Sequence, residues 1–127
     1  MTTAARTIED WAKSNGYELT RDPSSTRLSL TFDSVRTHFH VLAGNTILLE
    51  ARLCDLPQGL NDRERVLDRA MTVSAGRLRD NPSILSCDDS RSALWLQRRL
   101  PGGISTTSLD EAVEQLVNEI DMWRVLL

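Results

Sequence analysis

The sequence predicts a single α+β domain over residues 1–127, a homodimer-forming α-β-β-β-α-β-β-α protomer with a mostly antiparallel twisted sheet and three helices. Segments of alternating apolar and polar residues are joined by short turns, which are typical of hairpins between antiparallel strands. Three other segments carry apolar residues at helical spacing. A chain of 127 residues, 40% hydrophobic and 26% charged, has the size and composition of one globular domain.

The first half of the chain predicts one helix followed by a three-stranded meander. The helix runs from about Thr3 to Ser14 and ends at Asn15-Gly16, a typical C-terminal stop. Three strands follow, at residues 27–32, 35–42 and 46–54. They are separated by turns at Asp33-Ser34 and Gly44-Asn45, and apart from Thr37 every second residue of each strand is apolar.

The second half predicts a helix, a hairpin and a final helix. Asn61 and Glu64 form a capping pair for a helix that runs to about Arg79, and its apolar residues spread over two adjoining stripes. Residues 84–87 and 93–100 are predicted to form a hairpin around the turn Asp88-Asp89-Ser90. Ser108-x-x-Glu111 matches a capping box, and regular helical spacing of apolar residues continues from there to Trp123.

The sequence offers little that indicates catalysis. His38 and His40 are two positions apart on a strand, as two zinc ligands could be, but no third ligand is near. We interpret them as polar residues on an outer face, so that replacing both should cost little stability. Asp88-Asp89 suits a turn better than a pair of catalytic acids. No nucleophile elbow or phosphate-binding loop occurs, so we expect no enzyme activity, cofactor or metal.

The net charge and the lack of long apolar segments indicate which partners and which cellular compartment to expect. A net charge of −3 and a pI near 5.3 argue against nucleic acid and anionic membranes. No segment reaches the length of a membrane helix, and the N-terminus lacks a signal peptide's apolar core. We therefore expect a cytoplasmic protein in which Cys54 and Cys87 remain reduced.

The chain carries more apolar surface than one protomer needs. Trp95 lies on the strand face opposite Leu94 and Leu96, and Leu48 lies opposite its neighbours Ile47 and Leu49. The second helix has an apolar stripe that one sheet cannot cover. Exposed apolar faces of this kind are typical of protein interfaces.

In its order of elements and in the segment from Ala93 to Trp123, the chain resembles the class I type III secretion chaperones, the Tir-chaperone family, and the likeness spans nearly its whole length. That family typically closes with a Leu-x-Leu strand, a Leu-Pro break, a Ser/Thr-capped helix and a late Trp. The matching residues here are Leu94, Leu96, Leu100, Pro101, Ser108, Leu109, Leu116, Val117 and Trp123. Residues 60–79 depart most from the family's pattern, since Ala70-Met71 and Val73 replace its Leu-rich segment.

The resemblance implies a homodimer that binds the N-terminal chaperone-binding region of a secreted effector in extended form, in a Gram-negative cytoplasm. It also implies a further partner in the secretion-system ATPase. For the dimer interface we predict Val66, Leu67, Ala70, Met71 and Val73. For effector binding we predict Leu28, Leu30, Phe39, Leu48 and Trp95, which alternation places on apolar strand faces.

Two other functions fit the same composition. One is a small α+β ligand-binding domain whose apolar faces enclose a pocket. The other is an adaptor that pairs with a folded partner. A chaperone differs from both because it recognises an extended segment of its client.

Overall fold

Six strands and three helices make up the protein in a computed structural model, which describes residues 3–21, 27–77, 83–88, 90 and 92–127. The helices are α1 (Thr3–Ser14), α2 (Leu60–Arg77) and α3 (Thr106–Leu126). The strands are β1 (Thr20–Arg21), β2 (Arg27–Phe32), β3 (Val35–Val41), β4 (Ile47–Asp55), β5 (Ile84–Cys87) and β6 (Ala93–Leu100). Over these residues, no helix combines the length and apolarity that crossing a membrane requires.

The α+β fold and the predicted order of elements are confirmed, with one addition. Strand β1 was not predicted, because its two residues are too few to show an alternation. Thr20 and Arg21 pair with Ser29 and Leu28 of β2. The predicted end of the second helix, about Arg79, lies outside the described residues.

The strands form one antiparallel sheet in the order β1-β2-β3-β4-β6-β5. The β2–β3 turn has positive φ at both central residues, 47° at Asp33 and 69° at Ser34, as a two-residue hairpin requires. After β4 the chain leaves the sheet for α2 and returns as β5, so that β6 lies between β4 and β5. Strands β1 and β5 are therefore the two edges.

Helices α1 and α3 cover one face of the sheet. The Trp11 ring of α1 lies with its centroid 5.6 Å from that of Phe39 on β3. Its indole Nε1 donates to Asp110 Oδ1 of α3 at 2.9 Å, which joins the two helices. The residues of this core face are buried, including Leu28, Leu30, Phe39, Leu49, Ala51 and Leu96.

The helix caps differ from the prediction. Ser105, not Ser108, caps α3: its hydroxyl accepts a hydrogen bond from Ser108 N, so the helix begins one turn earlier. The prediction of Asn61 as the cap of α2 is wrong as well, because that helix begins at Leu60 and Asn61 lies within its first turn.

The two cysteines are free thiols, as predicted. Both pair with Leu94 of β6, Cys54 from β4 and Cys87 from β5. Because a strand separates them, their Cα atoms are about 10 Å apart, beyond the ~7 Å limit for a disulfide.

The β3–β4 turn packs against the break between β6 and α3. Asn45 has a φ of 65°, and its side-chain Oδ1 accepts a hydrogen bond from Ala4 N at the start of α1, at 3.1 Å. Gly102 lies so close to this turn that a Cβ there would come within 1.8 Å of the Asn45 carbonyl oxygen. Any larger residue at this position would therefore force the turn to move.

We predict that Gly102→Ala lowers the free energy of unfolding by about 1–3 kcal/mol, because the added methyl forces the turn away from the β6–α3 junction. Gly103→Ala is the matched control, since a Cβ at Gly103 meets nothing within 4 Å. Urea denaturation of both variants measures the difference. Equal stabilities would contradict the close contact at Gly102.

Candidate functional site

Helix α2 has two apolar stripes with different surroundings. The first contains Val66, Ala70 and Val73: Ala70 is fully buried and the two valines are half-buried against the core. The second lies about 130° further round the helix. It consists of Leu60, Leu67, Met71 and Ala75, and it includes two of the most exposed large apolar side chains of the described residues, Leu60 at 68% and Met71 at 66%.

The predicted dimer residues are therefore divided between the two stripes. Val66, Ala70 and Val73 face their own protomer; Leu67 is likewise half-buried against the core, and only Met71 is exposed. Leu60 and Ala75 belong to the exposed stripe and were not predicted. Their spacing relative to Leu67 and Met71 is helical, and this was the signal that could have identified them.

The sheet face away from α1 and α3, hereafter the outer face, is a regular grid of side chains. Antiparallel register aligns its residues in three rows across β2, β3, β4 and β6. The first row is Thr31, Arg36, Arg52 and Trp95; the second is Ser29, His38, Glu50 and Gln97; the third is Arg27, His40, Leu48 and Arg99.

Hydrogen bonds between strands connect the centre of the outer face. Ser29 Oγ lies 2.7 Å from His38 Nδ1. His40 Nε2 lies 2.8 Å from Glu50 Oε1, and Gln97 Nε2 donates to Glu50 Oε2 at 2.8 Å. Both oxygens of the carboxylate thus have partners, and the four central strands are linked through their side chains as well as their backbones.

His38 is on the outer face, as predicted, but it is buried rather than solvated. Only 9% of the residue is exposed, and the Trp95 ring lies alongside with its centroid 5.8 Å away. This burial, followed by the positive charge of Arg27, lowers the pKa of His38 to about 4. The interpretation of His38 as a solvated residue is therefore wrong, and we now expect its replacement to cost more stability than that of a residue exposed to water. Among the described residues, no group of three or more side chains could hold a metal ion.

The structure separates the residues predicted to bind an effector. Leu28, Leu30 and Phe39 are no more than 2% exposed and lie in the core beneath the helices, where a second chain cannot contact them directly. Leu48 and Trp95 are on the outer face and half-buried. The two sets belong to opposite faces of the same sheet.

Two clefts lie near the end of β4. The larger, about 630 Å³, is lined mainly by polar side chains, among them Arg52, Gln58, Arg63 and Ser92. The smaller, about 220 Å³, separates α2 from the C-terminal end of α3 and includes Cys54, whose pKa is raised by burial. Neither is the closed apolar pocket that a small-molecule-binding domain of this type needs.

The lowered pKa of His38 predicts acid sensitivity. Below about pH 6.5 the unfolded chain binds a proton at this residue, whereas the folded chain does not until about pH 4. Stability should therefore be complete above pH 6.5 and fall between pH 6.5 and 4, by up to about 3 kcal/mol. Urea denaturation across this range should show a shallower fall for His38→Gln than for wild type. His40→Gln is the control: because His38 is intact, its stability should fall with pH as that of wild type does. If the stability of His38→Gln falls as steeply as that of wild type, the lowered pKa of His38 is contradicted.

Three solved structures share this fold. A chain of the HopA1–SchA chaperone–effector complex matches with a TM-score of 0.70 and 16% identity, covering 96% of this chain and 93% of that one. A chain of the ExsC–ExsE complex matches with a TM-score of 0.74 and 19% identity, covering 100% and 97%. The structure of the Yersinia pestis type III secretion chaperone SycH with a stable fragment of YscM2 gives a TM-score of 0.64, 16% identity and coverage of 94% and 98%.

At these identities the likeness is one of fold. No curated protein matches the sequence. The family assignment rests instead on the sequence itself, because residues 6–124 match the family model described as the Tir chaperone protein (CesT) family. This range includes every described strand, all of α2 and most of α1 and α3. The chain therefore belongs to the Tir chaperone protein (CesT) family.

Proposed function

We propose that the chain is a cytoplasmic chaperone of type III secretion, which binds the N-terminal segment of a secreted effector in extended form and keeps it soluble and competent for export. The family match over residues 6–124 carries this proposal. Chains of similar fold occur in a chaperone–effector complex and in a complex of SycH with a fragment of YscM2. The proposed function is binding alone, without a catalytic step or a cofactor. The secretion-system ATPase is the proposed recipient of the loaded chaperone.

The proposed chaperone is a homodimer joined through α2. The exposed Leu60 and Met71 of its second stripe support this, because apolar side chains of this size are costly to leave in water. A two-fold axis would place the stripe against its own copy. Val66, Ala70 and Val73 support the interface from behind, since they hold α2 on its protomer.

An extended client gains affinity in two ways on such a sheet. Its backbone pairs with an edge strand, and its apolar side chains bury against the protein. The edge strand β5 offers this pairing, and its Ile84 is 64% exposed. On the outer face, Leu48 and Trp95 are the proposed contacts, while Leu28, Leu30 and Phe39 contribute only by holding the sheet in shape.

Co-expression with N-terminal fragments of secreted proteins encoded beside its own gene tests the proposed function. We expect one fragment to co-purify as a soluble complex and to lack a folded core of its own by NMR. Recognition of a folded effector domain alone would overturn the chaperone proposal and favour an adaptor.

We predict that Met71→Asp disrupts the dimer, because it places a charge in the apolar stripe where two copies meet. Light scattering at micromolar concentration should show a dimer for wild type and a monomer or aggregate for the variant. Thr72→Asp adds the same charge at the neighbouring exposed position outside the stripe and should remain dimeric. A monomeric wild type would exclude the proposed interface.

We predict that Trp95→Ala weakens binding of the effector fragment by about 2 kcal/mol, or about 30-fold, because an aromatic side chain loses its contact with the client. The dimer should be preserved. Calorimetry measures the affinity, and Val125→Ala serves as control, since Val125 is an apolar residue on α3 with 84% exposure. Unchanged affinity in Trp95→Ala would remove this residue from the client interface.

A further inference from the structure

The outer face is positively charged although the chain is acidic. Its three rows contain four arginines, Arg27, Arg36, Arg52 and Arg99, and one carboxylate, Glu50. With both histidines neutral this is a formal charge of +3, on a chain whose total is −3. The opposite charge is concentrated on α3, which includes the exposed Glu111, Glu114 and Asp121, whereas the charges of α1 and α2 nearly balance.

The charges of the outer face differ in how far the protein itself neutralises them. Glu50 is bound at both oxygens, by His40 and Gln97. Arg52 pairs with Asp55 at 2.5 Å. Arg36 and Arg99 are exposed, and neither has an ion-pair partner within the described part of the chain. These two guanidinium groups are therefore available to a bound anion.

The positions of these two arginines suit an extended chain. Arg36 is in the first row on β3, and Arg99 is in the third row on β6, two strands away. Strand spacing and rise place their Cα atoms roughly 16 Å apart, about the span of five extended residues. The half-buried side chains of Leu48 and Trp95 lie on either side of the line between them.

We propose that the outer face binds an acidic, extended segment of the effector, in which carboxylates contact Arg36 and Arg99 and apolar side chains contact Leu48 and Trp95. This inference rests on the proposed chaperone function and specifies the chemistry of its client. Charge complementarity selects the segment, because Arg36 and Arg99 have no ion-pair partner among the described residues, whereas Glu50 is already bound on both oxygens. The apolar contacts with Leu48 and Trp95 should make such a segment bind more tightly than a polyanion without apolar side chains.

Fluorescence anisotropy with labelled ten-residue peptides tests the inference. The probe alternates Glu and Leu, and we expect it to bind the full-length protein with an affinity that falls as salt is raised. Peptides with Gln in place of Glu, and poly-Glu without leucine, should each bind more weakly. If the Gln peptide binds as tightly as the probe, charge has no role and the inference fails. If poly-Glu binds as tightly as the probe, the inference fails as well, because the face then attracts any anion, nucleic acids included, without apolar contact.

The double variant Arg36→Gln/Arg99→Gln should bind the probe about tenfold more weakly, since it removes two exposed contacts between a guanidinium group and a carboxylate. Arg6→Gln/Lys13→Gln removes the same charge from exposed positions of α1 and should bind as wild type does. Equal affinity of the two double variants would overturn the inference. So would a change from dimer to monomer in Arg36→Gln/Arg99→Gln, because the face would then be covered by a second copy.

The same variants, titrated with a co-purifying effector fragment, separate this inference from the proposed function. If the fragment binds wild type and Arg36→Gln/Arg99→Gln equally, the chain is a chaperone that does not use its outer arginines, and the inference fails. If no effector fragment binds while the peptide does, the proposed function fails and the anion-binding face remains.

Discussion

The packing of α3 across β4 and β6 determines which face of the sheet becomes the core and which remains available for contacts with other molecules. Burial of Leu109, Leu116 and Ile120 on this helix contributes about 1.5–3 kcal/mol per side chain. With α1 joined to α3 through Trp11 and Asp110, one sheet face is filled completely. Because side chains alternate along each strand, every residue of opposite parity is then directed away from these helices. The outer face, with its buried histidine and its arginines, follows from that single packing arrangement.

The same arrangement leaves α2 only partly covered. The helix is needed to carry the chain from β4 to β5, past the intervening β6. One stripe packs against the core through Ala70, but Leu60 and Met71 on the other stripe are two-thirds exposed. A protomer that has already used two helices to fill its core cannot bury this second stripe. The proposed dimer and the proposed client face thus have the same cause. Helices α1 and α3 cover one face of the sheet, and within the protomer nothing among the described residues covers the other face or the exposed Leu60 and Met71 on the second stripe of α2.

Sequence periodicity predicted the order of the long elements well, because alternation and helical spacing are local properties. It also grouped Leu28, Leu30 and Phe39 correctly on apolar strand faces, but parity cannot show which face the helices cover, and these residues proved to be core. Strand β1 has only two residues and carries no period. At the start of α3, Ser108 with Glu111 matched a capping box, yet the helix is capped one turn earlier, where Ser105 accepts a hydrogen bond from Ser108 N.

The properties of the outer face were beyond local prediction for a different reason. The hydrogen bond between Gln97 and Glu50 joins residues 47 positions apart, and the contact of Trp95 with His38 depends on the register of β3, β4 and β6. Likewise, the two stripes of α2 were recognised from spacing, whereas their separate surroundings depend on the position of the helix beside the core. Net charge was also a poor guide, because an acidic total concealed a basic face.

The most direct test of this account is an NMR titration of the isotope-labelled protein with an N-terminal effector fragment. The account predicts that amide shifts change along β3, β4 and β6, above all near Leu48 and Trp95, and that the fragment remains without a folded core. Changes confined to the exposed side of α3, or binding only by a folded effector domain, would contradict it.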